Sequence, residues 1–198
     1  MRPVRPTTIA PMHVPTPQTS AEQLRIGIVV SRYHDAITSA LLAGATDAFA
    51  RAGGDASEDL VVLGAPGTFE LPVIAARLAH GGSVDAVVVL GCVVTGETRH
   101  DEYLASAVAN ACAAVAIETG VPVAFGVLTV ANLDQARERS GGSKGNKGAE
   151  AMVAAIEASH AIEAADLEGE RFERLVENDL DDDGLEDGDS GTWGEDDR

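Results

Sequence analysis

The chain has 198 residues, of which 45% are apolar, 23% charged and only 4% aromatic, and its formal net charge is −18. This length and apolar content suit one domain with a sizeable core, and no run of about 18 apolar residues is present that could span a membrane. The only two cysteines, Cys92 and Cys112, are too few for a disulfide scaffold, which favours a cytoplasmic location.

The negative charge is concentrated at the carboxyl end. Residues 163–198 carry 16 acidic and 3 basic side chains, whereas residues 1–162 carry 16 acidic and 11 basic ones. We therefore expect no nucleic-acid partner, because phosphate contacts need clustered Lys and Arg. Five of the eight prolines lie within residues 1–17. Composition thus predicts a Pro-rich arm over residues 1–23, a folded domain over 24–165, and a disordered acidic tail over 166–198.

Within the folded domain, strand patterns alternate with helix patterns. Nearly continuous Val, Ile and Leu runs are typical of strands covered on both faces, and they occur at residues 25–31, 60–64, 86–91 and 121–130. Apolar residues recur at helical spacing over 37–49, 104–115 and 152–156, and a short helix is predicted at Leu133–Arg139 with Asn132 as its N-cap. The alternation predicts an α/β fold with a parallel sheet, helices on both faces and right-handed crossovers.

The loops after the first three strands contain the side chains best suited to chemistry. Ligands of open parallel sheets bind outside the carboxyl ends of the strands, so these loops are expected to meet. Together they carry aromatic, carboxylate and imidazole groups, which could stack a planar ring and hydrogen-bond a polyol. The residues concerned are Tyr33, His34, Thr68, Phe69, Glu70, Glu97, Thr98, His100 and Asp101.

His100 is the candidate for proton transfer. Thr98 and Asp101 have the spacing of a capping box, which predicts that a helix starts here with His100 in its first turn. The unpaired N–H groups of that turn suit a phosphate, and a histidine can exchange protons near neutral pH. Spacing alone nevertheless favours an ordinary surface histidine by roughly two to one. No other histidine has metal-ligand spacing with it, so we expect no metal.

Two further motifs are weak. The glycine-lysine segment at 139–148 lacks the Ser or Thr that follows Lys in a P-loop, and no G-x-G-x-x-G follows a strand. Taken alone, this segment is best interpreted as a flexible connector between helices. Asp179, Asp181, Asp183 and Gly184 match half of a calcium loop, but position twelve is Ser190, so a solvated tail is favoured about ten to one.

Five segments in order cover most of the folded domain, between about Arg25 and Ile162: GIVVSRYHDAITSALLAGA, GAPGTFELP, LGCVVTGETRHDEY, GVPVAFGVLT and ARERSGGSKGNKGAEA. In this order and spacing they resemble the lumazine synthase family. The resemblance implies a flavodoxin-like three-layer sandwich, with a four-stranded parallel sheet flanked by helices. It also implies a transferase of riboflavin biosynthesis that needs no metal or cofactor. Its reaction would join 5-amino-6-ribitylaminouracil and 3,4-dihydroxy-2-butanone 4-phosphate into 6,7-dimethyl-8-ribityllumazine, releasing phosphate and water.

The resemblance assigns residues to the uracil substrate. Tyr33 would stack on the pyrimidine ring, and Glu70 would accept hydrogen bonds from ribityl hydroxyls. The other residues implied to line this substrate are Thr68, Phe69, Cys92, Val93, Val94 and, from the GNKG motif, Lys147.

The resemblance also assigns the phosphate end of the site. Glu97 and Thr98 would form the turn that holds phosphate, and His100 would transfer protons during imine formation and phosphate loss. A neighbouring subunit would supply Phe125 and Arg139, whose planar guanidinium can pair with phosphate.

The resemblance also implies an assembly, and this sequence differs from the family at several positions. The family forms rings of five subunits, some members close twelve rings into an icosahedral shell, and riboflavin synthase is a possible partner. The short connector Ser140–Gly148 matches shell-forming relatives. This chain has Thr95 where an Arg is common, Asp101 where an aromatic residue is usual, a shifted Lys144, and an additional acidic tail. Two other functions stay open: a non-catalytic shell protein and a flavin carrier.

Overall fold

The computed structural model describes the backbone of residues 18–182 and the side chains of residues 18–174. One compact unit ends at Ile162 and a second begins at Glu163. The Pro-rich arm up to residue 17 and the tail from residue 183 lie outside the described residues, as does the end of the calcium-like motif.

Four parallel strands form the main sheet of the first unit. They are β1 (Ile26–Ser31), β2 (Leu60–Ala65), β3 (Ala86–Val94) and β4 (Val123–Val130). Their order across the sheet is β2-β1-β3-β4, with β1 pairing to both β2 and β3. Each strand lies within three residues of its predicted bounds. The predicted parallel α/β architecture is therefore confirmed.

Within residues 18–182, the chain also forms five α-helices and one 3-10 turn. They are α1 (Asp35–Arg51), the 3-10 turn Thr68–Glu70, α2 (Leu71–His80), α3 (His100–Thr119), α4 (Leu133–Arg139) and α5 (Lys147–Asp182). The helix α2 has no counterpart among the predicted helices. Its signals are Pro72 in the first turn and buried Leu71, Ala75 and Ala79 at a spacing of four.

Two separate apolar cores lie on opposite faces of the sheet. On one face, Ile28 and Val88 pack with Leu41 and Phe49 of α1 and with Met152 of α5. On the other face, the strand residues Val29, Val87 and Val89 pack against two helices. The helix residues are Leu71 and Ala75 of α2 and Val108 and Val115 of α3. Successive side chains of a strand point to opposite faces, so apolar residues at every position fill both cores. This arrangement gives the three layers.

The strand β2 departs from the expectation that all strands are covered on both faces. Val61, Val62 and Leu63 are between 37% and 47% exposed. The apolar run was correctly assigned as a strand, but β2 lies at the edge of the sheet and pairs only with β1. A strand's own sequence does not state its position in the sheet, so this exposure follows from topology.

The tail is helical further than expected. The sequence predicted disorder from residue 166, whereas α5 continues as a helix to Asp182. Glu168 pairs with Arg171 and Glu170 with Arg174, both at 3.6 Å and at spacings of three and four residues. Such pairs and good helix formers stabilise a helix without a core. All described side chains from 163 to 174 are exposed.

The segment predicted as a flexible connector is ordered. It forms a small antiparallel hairpin of β5 (Ser140–Gly142) and β6 (Gly145–Asn146), in which Ser140 pairs with Asn146. Within residues 18–182, none of the helices has the length and apolar character needed to cross a membrane. The same part of the chain contains no cluster of three or more His, Cys, Asp or Glu placed to hold a metal.

Candidate active site

A cavity of about 560 Å³ lies at the carboxyl ends of the strands, where the sequence predicted a pocket. This size suits a small-molecule ligand. The loops after β1, β2 and β3 and the first turn of α3 form its walls. Its lining comprises Tyr33, His34, Gly67, Thr68, Phe69, Glu70, Cys92, Val93, Val94, Thr95, Gly96, Thr98, His100, Asp101 and Leu104.

The loop after β1 presents an aromatic ring. Tyr33 is 65% exposed, and its backbone N–H donates to Ser31 Oγ at 3.2 Å. The His34 ring meets the Tyr33 ring edge-on, with centroids 4.7 Å apart and planes at 68°. His34 has φ 60° and ψ 47°, a left-handed conformation that costs energy for a residue with a side chain. This turn leaves the Tyr33 ring largely exposed where it lines the cavity.

The segment after β2 places a carboxylate in the same cavity. Thr68 is buried, while Phe69 is exposed and Glu70 half-buried. A Cβ at Gly67 would lie 3.0 Å from Glu70 Oε2, so glycine leaves room for that carboxylate. A Cβ at Gly91 would similarly lie 3.1 Å from Thr68 Oγ1. Gly91 therefore allows the 3-10 turn to pack close to β3.

The end of β3 forms the floor of the cavity. Cys92 is 2% exposed, and burial raises the pKa of its thiol to about 11. The thiol is therefore protonated at neutral pH and is a poor nucleophile. Thr95 donates to the Val130 carbonyl oxygen through both its backbone N–H, at 2.9 Å, and its hydroxyl, at 3.3 Å. The residue that replaces the family's common Arg is thus tied to β4.

The first turn of α3 contains His100, as predicted, but the predicted capping box is absent. The N-cap is Arg99, and no side chain caps the helix. Arg99 instead forms an ion pair with Glu102 at 2.7 Å and lies 5.8 Å from the centre of the Tyr103 ring. This exposed pair leaves the first-turn N–H groups uncapped, and His100 is exposed.

A second cavity, of about 350 Å³, contains three of the four predicted site residues that the first one lacks. Phe125, Arg139 and Lys147 line it, along with Glu150 and residues of β4 and α5. Arg139 donates to the Gln135 carbonyl oxygen at 3.2 Å, and Lys147 pairs with Glu150. One chain therefore does not bring Arg139 and Lys147 into the first cavity. Glu97 is exposed and does not line either of these two cavities.

The hairpin beside the second cavity is held by Glu138. Its carboxylate accepts hydrogen bonds from the hydroxyl and the backbone N–H of Ser143, and these bonds lower the pKa of Glu138. The Lys144 N–H donates to the Glu138 carbonyl oxygen at 2.9 Å. The shifted Lys144 therefore lies in a defined turn.

The sequence assigned no substrate contact to several lining residues, although it had placed His34 and Asp101 in the loops expected to meet. His34, Thr95, Gly96, Asp101 and Leu104 also face the first cavity. Adjacency was the available signal for two of them, since His34 follows Tyr33 and Asp101 follows His100. Leu104 has no comparable signal, because its helical spacing also fits a purely structural role.

The first cavity combines groups for binding and for proton transfer. It has two imidazoles, two carboxylates and two exposed aromatic rings, together with unpaired amides at the start of a 20-residue helix. Among the described residues that line it, none is Lys or Arg. A phosphate ester bound there would need cations from elsewhere.

Comparison with known proteins adds independent evidence. The model of the 6,7-dimethyl-8-ribityllumazine synthase family matches residues 23–163. Two relatives with the name 6,7-dimethyl-8-ribityllumazine synthase, from two strains of Thermus thermophilus, are each 45% identical over 161 residues. The alignment covers 81% of this chain and 98% of each relative.

Proposed function

Since the chain belongs to the 6,7-dimethyl-8-ribityllumazine synthase family, we propose that the cavity lined by Tyr33, Glu70 and His100 is where it carries out its reaction. The enzyme is a transferase of riboflavin biosynthesis. It condenses 5-amino-6-ribitylaminouracil with 3,4-dihydroxy-2-butanone 4-phosphate to 6,7-dimethyl-8-ribityllumazine. The observation that carries the location is that an aromatic ring, a carboxylate and an imidazole share one cavity.

The uracil substrate binds in the part of the cavity formed by the loops after β1 and β2. The exposed ring of Tyr33 stacks on the pyrimidine ring, supported by the edge-on contact with His34. Glu70 accepts hydrogen bonds from ribityl hydroxyls. Thr68, Phe69 and the backbone of residues 92–94 line the remaining surface.

The phosphate ester binds near the start of α3. The first-turn N–H groups have no partners within the helix, and the positive end of the helix dipole favours an anion. Thr98 lines this region, and Glu97 shapes the turn before it. His100 accepts and returns protons as the amine attacks the ketone, water leaves and phosphate is lost. The enzyme acts by positioning and proton transfer, without a covalent nucleophile.

The missing cations come from a neighbouring subunit. The enzyme is a homo-oligomer, as its family implies. We propose rings of five in which the second cavity of one chain adjoins the first cavity of the next. Phe125 and Arg139 then complete the phosphate end, and Lys147 reaches the pyrimidine carbonyl. Closure of rings into an icosahedral shell, riboflavin synthase as a partner, and a cytoplasmic location belong to the same proposal.

The direct test is to mix the two substrates with the purified protein and follow lumazine fluorescence. We expect product formation well above the rate without enzyme, and the absorbance spectrum of the protein serves as the control. Stoichiometric bound flavin without lumazine formation would favour the flavin carrier instead. A ring-shaped assembly without either property would favour the non-catalytic shell protein. The comparisons provide no support for either alternative.

A further inference from the structure

The Asn146 side chain caps α5. Its Oδ1 accepts hydrogen bonds from the backbone N–H groups of Gly148, at 2.8 Å, and Ala149, at 3.2 Å. These are the second and third residues of α5, whose N–H groups have no partner within the helix. Asn146 therefore defines where α5 begins, and Lys147 is the first residue after it.

The amide nitrogen of the same side chain makes two bonds that a helix cap does not require. Nδ2 donates to the Ala40 carbonyl oxygen of α1 at 2.8 Å and to the Ser140 carbonyl oxygen at 3.3 Å. Ser140 directly follows Arg139, the last residue of α4. One side chain thus connects α1, the end of α4 and the start of α5.

Two glycines make space for this connection. A Cβ at Gly44 of α1 would lie 2.3 Å from the Asn146 amide, which no side chain tolerates without a shift. A Cβ at Gly148 would lie 2.1 Å from the Leu41 carbonyl oxygen. The start of α5 therefore packs directly on the backbone of α1, and the Asn146 amide fits between the two helices.

We propose that Asn146 is a positioning residue that holds Arg139 and Lys147 in one geometry, so that both cations meet the substrates in the adjoining subunit together. This inference rests on the proposed function of those two residues. Each cation has its own local partner, Gln135 for Arg139 and Glu150 for Lys147. The Asn146 side chain, however, is hydrogen-bonded to the backbone next to each of them. It donates to the carbonyl oxygen of Ser140, which follows Arg139, and it accepts from the N–H of Gly148, which follows Lys147. Small displacements of binding groups weaken a reaction that depends on positioning.

Asparagine suits this role better than other capping residues. Serine and aspartate supply the acceptor that a helix N-terminus needs, but neither carries an N–H donor. An amide provides an acceptor for α5 and two donors for the two carbonyl groups. Replacement by Ser therefore separates the cap from the connection without introducing a charge.

The test is the steady-state kinetics of the full-length N146S variant. We expect the KM values for both substrates to rise about three- to tenfold, the range of one or two lost neutral hydrogen bonds, with kcat within about twofold of the parent. The matched control is S159A. Ser159 is buried in the same helix and donates to the Ala155 and Asp85 carbonyl oxygens, away from both cavities. S159A should lower the thermal unfolding midpoint without changing either KM.

A second variant, G44A, tests the same geometry from α1. Its methyl group displaces the Asn146 amide, so it should raise the same two KM values. If R139A raises the KM for the phosphate ester but N146S leaves both KM values unchanged, the positioning role alone is overturned. If R139A itself leaves that KM unchanged, the shared-site assignment is wrong and the positioning role is overturned with it. An equal rise in KM for S159A would reduce the role of Asn146 to general stability and also overturn the proposal.

Discussion

At the residue scale, His100 can be removed without disturbing the core, because it is exposed in the first turn of α3. We expect H100A to fold normally and to lower kcat by about 10²–10⁴-fold, the usual loss when a general acid–base group is removed. Lumazine fluorescence measures the rate, and far-UV circular dichroism checks the fold. Full activity of H100A from pH 6 to pH 8 would contradict the assignment.

Cys112 gives a second residue-scale prediction. It is buried, and burial raises the pKa of its thiol from 9.0 to about 11. The unfolded chain therefore ionises first as the pH rises. The stabilising contribution is fully present below about pH 9 and is lost as the pH rises through about 11.

Urea unfolding at pH 8 and pH 10.5 measures this effect. The free energy of unfolding should fall at the higher pH, and it should fall less in C112A than in the parent. Equal losses in both proteins would show that other groups cause the pH dependence. Cys92, with the same direction of shift, provides a parallel variant.

At the element scale, the second unit tests whether a helix without a core matters to the enzyme. The described side chains of residues 167–174 are all exposed, and the family match ends at residue 163. Deletion of residues 167–198 should leave the thermal unfolding midpoint and kcat unchanged, while the helical circular dichroism signal falls. Loss of assembly or activity would make the tail a structural or regulatory element.

Some of the strands and helices were predictable from local sequence patterns, and others were not. All four strands were predictable, because continuous apolar runs fill two cores at once. The hairpin Ser140–Asn146 was not predictable from local patterns. It is held by the hydrogen bond of Asn146 with Ala40 and by the bonds of Glu138 with Ser143. The helix beyond residue 166 was missed because charge density suggested disorder, whereas the spacing of Glu and Arg favours a helix.

At the scale of the whole molecule, the shared site predicts complementation. Each intact site in a mixed ring takes His100 from one chain and Arg139 from the next. Equal mixing of H100A and R139A subunits should restore about a quarter of the sites, as random placement in a cyclic ring requires. Mass spectrometry of the rings verifies the mixing. Absence of any rescue in verified mixed rings, or a fully active monomer, would refute the shared site.

The acidic tail predicts a dependence of assembly on salt. Residues 163–198 carry 16 acidic and 3 basic side chains, and like charges repel most strongly when the Debye length is long. The full-length protein should shift toward larger assemblies as the salt concentration rises, as measured by sedimentation velocity. A protein that ends at residue 166 should show a smaller shift. The same salt response in both would exclude the tail as its cause.

The sequence by itself determined the sheet, the helices with strong apolar periodicity, and the loops that form the first cavity. Those features follow from local patterns and from the rule that ligands bind at the carboxyl ends of parallel strands. Only the tertiary structure decided that β2 lies exposed at an edge and that α3 begins after Arg99 without a side-chain cap from Thr98. It also separated Arg139 and Lys147 from His100 by placing them in another cavity. Such facts depend on contacts between residues far apart in the chain, such as that of Asn146 with Ala40, which no local pattern contains.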